Sequence, residues 1–174
     1  MFERGRKSPL FVPYYSMLTL ENITALAQER IDELDCEIFI VDITISSSNS
    51  INVELDKMGK GVSINECTSV SRNIEHNLDR EVADFSLQVS SAGMDRPLRV
   101  PNQFIKNTGR QVKVILNHGS VEGMLKSFEE GVQLIIETET KEKVEGKKKK
   151  EIVVREHILP FTDIKEVKRV ITFK

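Results

Sequence analysis

The apolar positions fall into two rhythms, and the change between them divides the chain. After Thr19, a side chain suited to an N-cap, Ile23, Leu26, Ala27, Ile31 and Leu34 recur at helical spacing and place one apolar stripe on a helix. Phe39, Val41, Ile43 and Ile45 then alternate, as do Ile51, Val53 and Leu55. The serine-rich stretch Ser46–Ser50 between them is rich in turn formers, which predicts a hairpin. Beyond Gly59-Lys60-Gly61, Ser63-Ile-Asn-Glu66 has the spacing of a capping box, with Val62 and Cys67 where a hydrophobic staple would put them. Ile64, Cys67, Val70, Ile74 and Leu78 form a second helical stripe, and Phe85, Leu87 and Val89 a third strand. Helix-strand-strand-helix-strand predicts an α+β sandwich of three strands covered by two helices.

The second half is written almost entirely in strands. Val112, Val114 and Leu116 alternate; Val121–Phe128 and Val132–Ile136 follow, separated by turns at His118-Gly119 and Glu130-Gly131. Ile152–Val154 and Val167–Ile171 supply two more runs. Short strands joined by tight turns predict a small antiparallel barrel. Gly123 falls inside a strand, where a missing side chain allows a sharp bend or bulge. Pro160 stops its strand, and Phe161-Thr-Asp163 reads as one tight turn. Thr140–Lys150, with ten of its eleven residues not hydrophobic, reads as a mobile hairpin tip.

Length sets the scale for these elements: 174 residues suit one large domain or two small ones. The boundaries read as a flexible tail over 1–16, an α+β domain over 17–90, a rigid linker over 91–99 and a barrel over 100–174. The tail holds two prolines and no periodic pattern, and Leu10–Val12 is too short for a signal-peptide core; Met17 is a candidate initiator because the folding pattern starts directly after it. No apolar run approaches the eighteen or so residues of a membrane span. The two cysteines, Cys36 and Cys67, exclude a disulfide framework and fit a reducing cytoplasm.

Charge sharpens the division. The net charge of −2 hides a −9 stretch over residues 17–90, with 5 Lys/Arg against 14 Asp/Glu, and a +5 stretch over 91–174, with 17 against 12. Oppositely charged halves predict two surfaces for two kinds of partner.

Candidate chemistry is sparse. His76, His118 and His157 share no metal-ligand spacing with each other or with the cysteines, so no metal is expected. Ser90-Ser91-Ala92-Gly93 lacks the Gly-x-Ser-x-Gly elbow, and Gly59–Gly61 lacks the pattern of a phosphate-binding loop. Neither a catalytic residue nor a cofactor is expected. Ser90–Leu98 (SSAGMDRPL) is the distinctive segment. Gly93 would permit positive φ, Asp95 would bridge to a nearby amide, and Pro97 would steer Arg96 into extended geometry.

Gly61-Val-Ser-Ile-Asn-Glu-Cys67, Ser71-Arg72, Leu78-Asp79 and Val89–Leu98, with Phe104 and Gly109 downstream, together resemble the RimP family of ribosome maturation factors over roughly Leu20 to Phe173. Leu159–Ile164 followed by Val167 is similar to that family's closing barrel segment; Ala92 departs from it, standing where the family often has Pro. The resemblance implies an α+β domain followed by an SH3-like or Sm-like barrel, and a cytoplasmic, non-enzymatic factor; a transient factor of this size is expected to be monomeric. It further implies partners: the immature small (30S) ribosomal subunit, a very basic small-subunit protein (number twelve) and rRNA, with no membrane. The acidic side, led by Asp42, Glu54 and Asp56, is then expected to meet the basic protein. Arg96, Arg99, Lys106, Arg110 and Lys113 are expected to meet rRNA, and Ser90, Ser91, Gly93, Asp95 and Pro97 complete the candidate contacts. Two alternatives are an Sm-like regulator of small or messenger RNAs, against which few aromatic platforms speak, and an enzyme with a site around Ser90–Arg96.

Overall fold

The structure is a computed structural model that describes residues 18–81, 83–142 and 151–171. The expected tail over 1–16, Met17 and the lysine run 147–150 lie outside the described residues. Two compact units divide the chain between Ser91 and Ala92.

The first unit runs α1 (Leu20–Leu34), β1 (Ile38–Ile45), β2 (Ser50–Lys57), α2 (Ile64–Asn77) and β3 (Ser86–Ser91). The Thr19 hydroxyl accepts from the Asn22 amide, capping α1 as its sequence predicts. At the start of α2, Ser63 Oγ accepts from the Glu66 amide while the Ser63 amide donates 2.7 Å to Glu66 Oε2, so the capping box closes in both directions. The sheet has the order β1-β2-β3, antiparallel across the hairpin and parallel between β2 and β3. Ile23, Leu26, Ala27, Ile31, Val70 and Ile74 from the helices pack on Ile38, Ile51, Val53 and Leu55 from the sheet. Each such Val, Leu or Ile side chain withdrawn from water contributes about 1.5–3 kcal/mol before ordering costs, and Ala27 less.

Two details differ from the sequence reading. Ile64, placed in the α2 stripe, is 84% exposed at the first residue of the helix, outside the buried stripe that Val70 and Ile74 form. Along β1, Ile40 pairs with Leu55 but Asp42 with Glu54, so Val41 is an extra residue. This bulge breaks the expected Phe39-Val41-Ile43-Ile45 alternation. Ile38, Ile40, Ile43 and Ile45 pack against the core cluster instead, and Phe39 and Val41 are buried apart from it.

The second unit opens with α3 (Pro101–Asn107), followed by β4 (Gln111–Leu116), β5 (Gly119–Glu129), β6 (Gln133–Glu142), β7 (Glu151–Pro160), a single 3-10 turn over Phe161–Asp163, and β8 (Ile164–Arg169). The strands form one antiparallel sheet in the order β7-β6-β5-β4-β8, the SH3-like or Sm-like arrangement expected. Phe104, Val112, Val114, Leu125, Leu134, Ile136 and Val167 form its core. The short helix was not expected. Pro101 starts it and Gln103 Oε1 accepts from the Arg99 amide at 2.8 Å, closing its first turn. Strand pairing also runs further than the sequence suggests: β6 and β7 stay paired out to Glu142 and Glu151, taking Thr140, Lys141 and Glu142 out of the expected hairpin tip.

Gly123 has a stricter requirement than flexibility. A Cβ there would stand 2.6 Å from the backbone oxygen of Glu137 on β6. The bulge itself falls later in β5, where Leu125 pairs with Ile136 and Ser127 with Ile135, leaving Lys126 as the extra residue.

Candidate partner-binding surfaces

Strand register gathers the acidic candidates of the first unit. Asp42 on β1 pairs with Glu54 on β2, and Glu54 with Ser90 on β3. Asp56, two residues along β2, shares their face, turned away from the core side chains Ile51, Val53 and Leu55. The three carboxylates and the first serine of the junction segment therefore lie on one side of the sheet. None of the three carboxylates is without an interaction.

At the end of β2, the middle strand of that sheet, Glu66 ties the start of α2 to the strand. Lys57 Nζ, at the end of β2, donates 2.6 Å to Glu66 Oε1, while Glu66 Oε2 serves the cap. Lys57 and then the Ser63 amide hold the Glu66 carboxyl down to about 2. Burial pushes both thiols, Cys36 and Cys67, upward and away from the reactive thiolate.

The junction segment is anchored to the second unit. The Arg96 amide donates to the Gly93 carbonyl at 3.2 Å, making a tight turn, Pro97 bridges to Lys168, and the Leu98 amide donates 2.8 Å to the Val167 carbonyl. The segment's second half is thereby an added rung beside β8, and Leu98 packs on the barrel core. Two expectations are corrected here. Gly93 is not among the residues of positive φ; its requirement is space, since a Cβ would come 2.9 Å from Asp95 Oδ1. Asp95 makes no bridge to an amide among the described residues; its carboxylate lies over Gly93 instead.

The basic candidates do not converge equally. Lys113 is spent on Glu122, directly opposite on β5, at 2.9 Å. Arg96, Arg99 and Lys106 are each engaged, Arg96 and Arg99 being exposed and Lys106 half-buried at the end of α3. Arg110, half-buried just before β4, has no side-chain partner among the described residues. Arg169, which the sequence reading passed over, reaches the junction segment, its Nη1 lying 3.7 Å from the Met94 sulfur. No periodic signal marks that contact.

Among the described residues no three His, Cys, Asp or Glu side chains converge to hold a metal, and no helix is long and apolar enough to cross a membrane.

The profile of the RimP N-terminal domain matches residues 26–95, which take in the acidic sheet face, the capping box and the start of the junction segment. A ribosome maturation factor RimP of Christiangramia forsetii is 41% identical over 153 residues, covering 88% of this chain and 98% of the relative. The chain belongs to the RimP family of ribosome maturation factors. Other members are similar over comparable lengths: the RimP of Flavobacterium psychrophilum is 33% identical over 88% of this chain and 97% of its own, and that of Cytophaga hutchinsonii 37% over 87% and 93%. A solved heptameric archaeal Sm protein aligns with 39% of this chain and 96% of its own at 22% identity and a TM-score of 0.29. As a RimP-family chain, the protein has a role in ribosome maturation.

Proposed function

We propose that the protein acts in the cytoplasm on the immature small (30S) ribosomal subunit, as a monomer and without making or breaking a covalent bond. The acidic first unit docks the basic small-subunit protein number twelve, and the second unit lies against rRNA. The observation that carries this reading is the opposition of charge, −9 over residues 17–90 and +5 over 91–174, within a chain of the RimP family. Complementary fields speed encounter and select partners more than they add affinity, as suits a factor that must leave the finished particle. The junction segment, the proposed rigid linker over 91–99, is supported by its hydrogen bond and bridge to β8.

Gradient fractionation of cell extract tests the proposal. The protein should travel with free small subunits and be absent from translating ribosomes, and cells lacking it should accumulate precursor particles. Normal subunit profiles in such cells would overturn it.

A further inference from the structure

Between α1 and α2 runs an open groove of about 470 Å³ whose lining is out of keeping with the rest of its unit. Arg30 from α1 and Thr68, Ser69, Arg72, Asn73 and His76 from α2 line it, and no carboxylate does. Yet over residues 17–90 acids outnumber bases 14 to 5.

The other guanidinium groups of the unit are committed. Arg30 Nε donates 2.8 Å to Ser69 Oγ and its Nη1 pairs with Glu33; Arg80 pairs with Glu75 and Asp84. Lys57 is held by Glu66. Arg72, exposed in the groove, has neither hydrogen bond nor ion pair among the described residues. His76 follows one helical turn later, so guanidinium and imidazole stand at a step of about 5–6 Å, while the Thr68 hydroxyl one turn earlier donates 2.8 Å to the Ile64 carbonyl and offers only its oxygen to the groove.

We propose that this groove is a docking site for the phosphodiester backbone of an RNA strand. An uncommitted guanidinium presents a planar fork of donors that matches phosphate oxygens two at a time. Two such groups, Arg72 and His76, spaced along an open groove suit a strand with phosphates at successive steps better than a single enclosed ion. Glu29, which touches Asn73 Nδ2 at 3.4 Å, and Glu33 border the site. The contact is therefore short in range, and it positions RNA more than it attracts it from a distance. The inference rests on the proposed rRNA partnership and changes its division of labour: the acidic unit also touches RNA, on its helical side, while Asp42, Glu54 and Asp56 lie on the opposite face of the sheet.

The test uses the full chain and small-subunit rRNA transcribed in vitro, titrated between about 50 and about 200 mM salt. Arg72→Gln should weaken binding roughly threefold to tenfold and lower the salt slope by about 0.7, with His76→Gln smaller in the same direction. Lys106→Gln with Arg110→Gln reports on the barrel independently. An unchanged slope in Arg72→Gln beside a lowered one in the barrel variant overturns the groove and leaves the RNA reading standing; no rRNA binding by the unaltered protein overturns both. In amide spectra of the full chain, rRNA should shift Thr68–His76. Shifts produced there by inorganic phosphate but not by rRNA would overturn the RNA assignment.

Discussion

Phe104 and Phe128 stack with ring centroids 4.6 Å apart and planes 7° from parallel, and Phe161 meets both edge-on, at 5.9 and 5.8 Å. One ring comes from α3, one from β5 and one from the turn after β7, so the trio ties the beginning, middle and end of the second unit together. Phe104→Ala should cost about 3–5 kcal/mol, and Phe104→Leu clearly less. Denaturant unfolding followed on the second unit's signals measures both; equal and small losses would show that the stack is incidental.

Gly123→Ala should destabilise the protein by about 1–3 kcal/mol, because the new methyl would meet backbone on β6 and not a side chain that can turn away. Gly61→Ala is the matched control: nothing lies within 4 Å of a Cβ there and its φ is not positive. Thermal melts of the two variants should separate clearly, with Gly61→Ala close to the unaltered protein.

The Glu66 carboxyl, held at about 2 against an ordinary 4.5, stabilises the folded state once it is ionised. Because the folded value is the lower one, that contribution is complete above the ordinary value and is lost as pH falls towards 2. Urea midpoints for the protein and for Glu66→Gln should therefore differ at neutral pH and converge on acidification. Ser63→Ala should cost about 1 kcal/mol at neutral pH through loss of the cap.

Asp42→Asn, Glu54→Gln and Asp56→Asn together remove three charges from one sheet face with little change of shape. Binding to the basic small-subunit protein should weaken roughly tenfold at low salt, and the difference should shrink as salt rises. Association rates measured at two ionic strengths check this. Identical rates for the variant would locate the docking surface elsewhere.

What the sequence made legible, and what it hid, follows from the range of each interaction. The capping box of Ser63 and Glu66 and the Thr19 cap are local patterns and stand where spacing placed them. The strands, by contrast, have shifted bounds: a bulge at Val41 breaks the β1 alternation, β6 and β7 pair out to Glu142 and Glu151, and β8 is Ile164–Arg169. α3 escaped because Phe104 is its one buried apolar side chain, leaving no stripe to count. The gathering of Asp42, Glu54 and Ser90 needs the parallel pairing of β2 with β3, which no periodicity announces. The groove beside α2 depends on Arg30 reaching Ser69 from 39 residues away. The requirement at Gly93 also lay outside composition, since it is set by where the Asp95 side chain settles.

The extra residue at Val41 has an evolutionary consequence. Because it interrupts the ladder between Ile40 and Asp42 without changing which flanking side chains face the helices, excising it would leave a regular hairpin with the same interior. Homologous chains one residue shorter at this point would be aligned with a gap that alters local twist and removes one side chain, Val41, that is buried outside the core cluster.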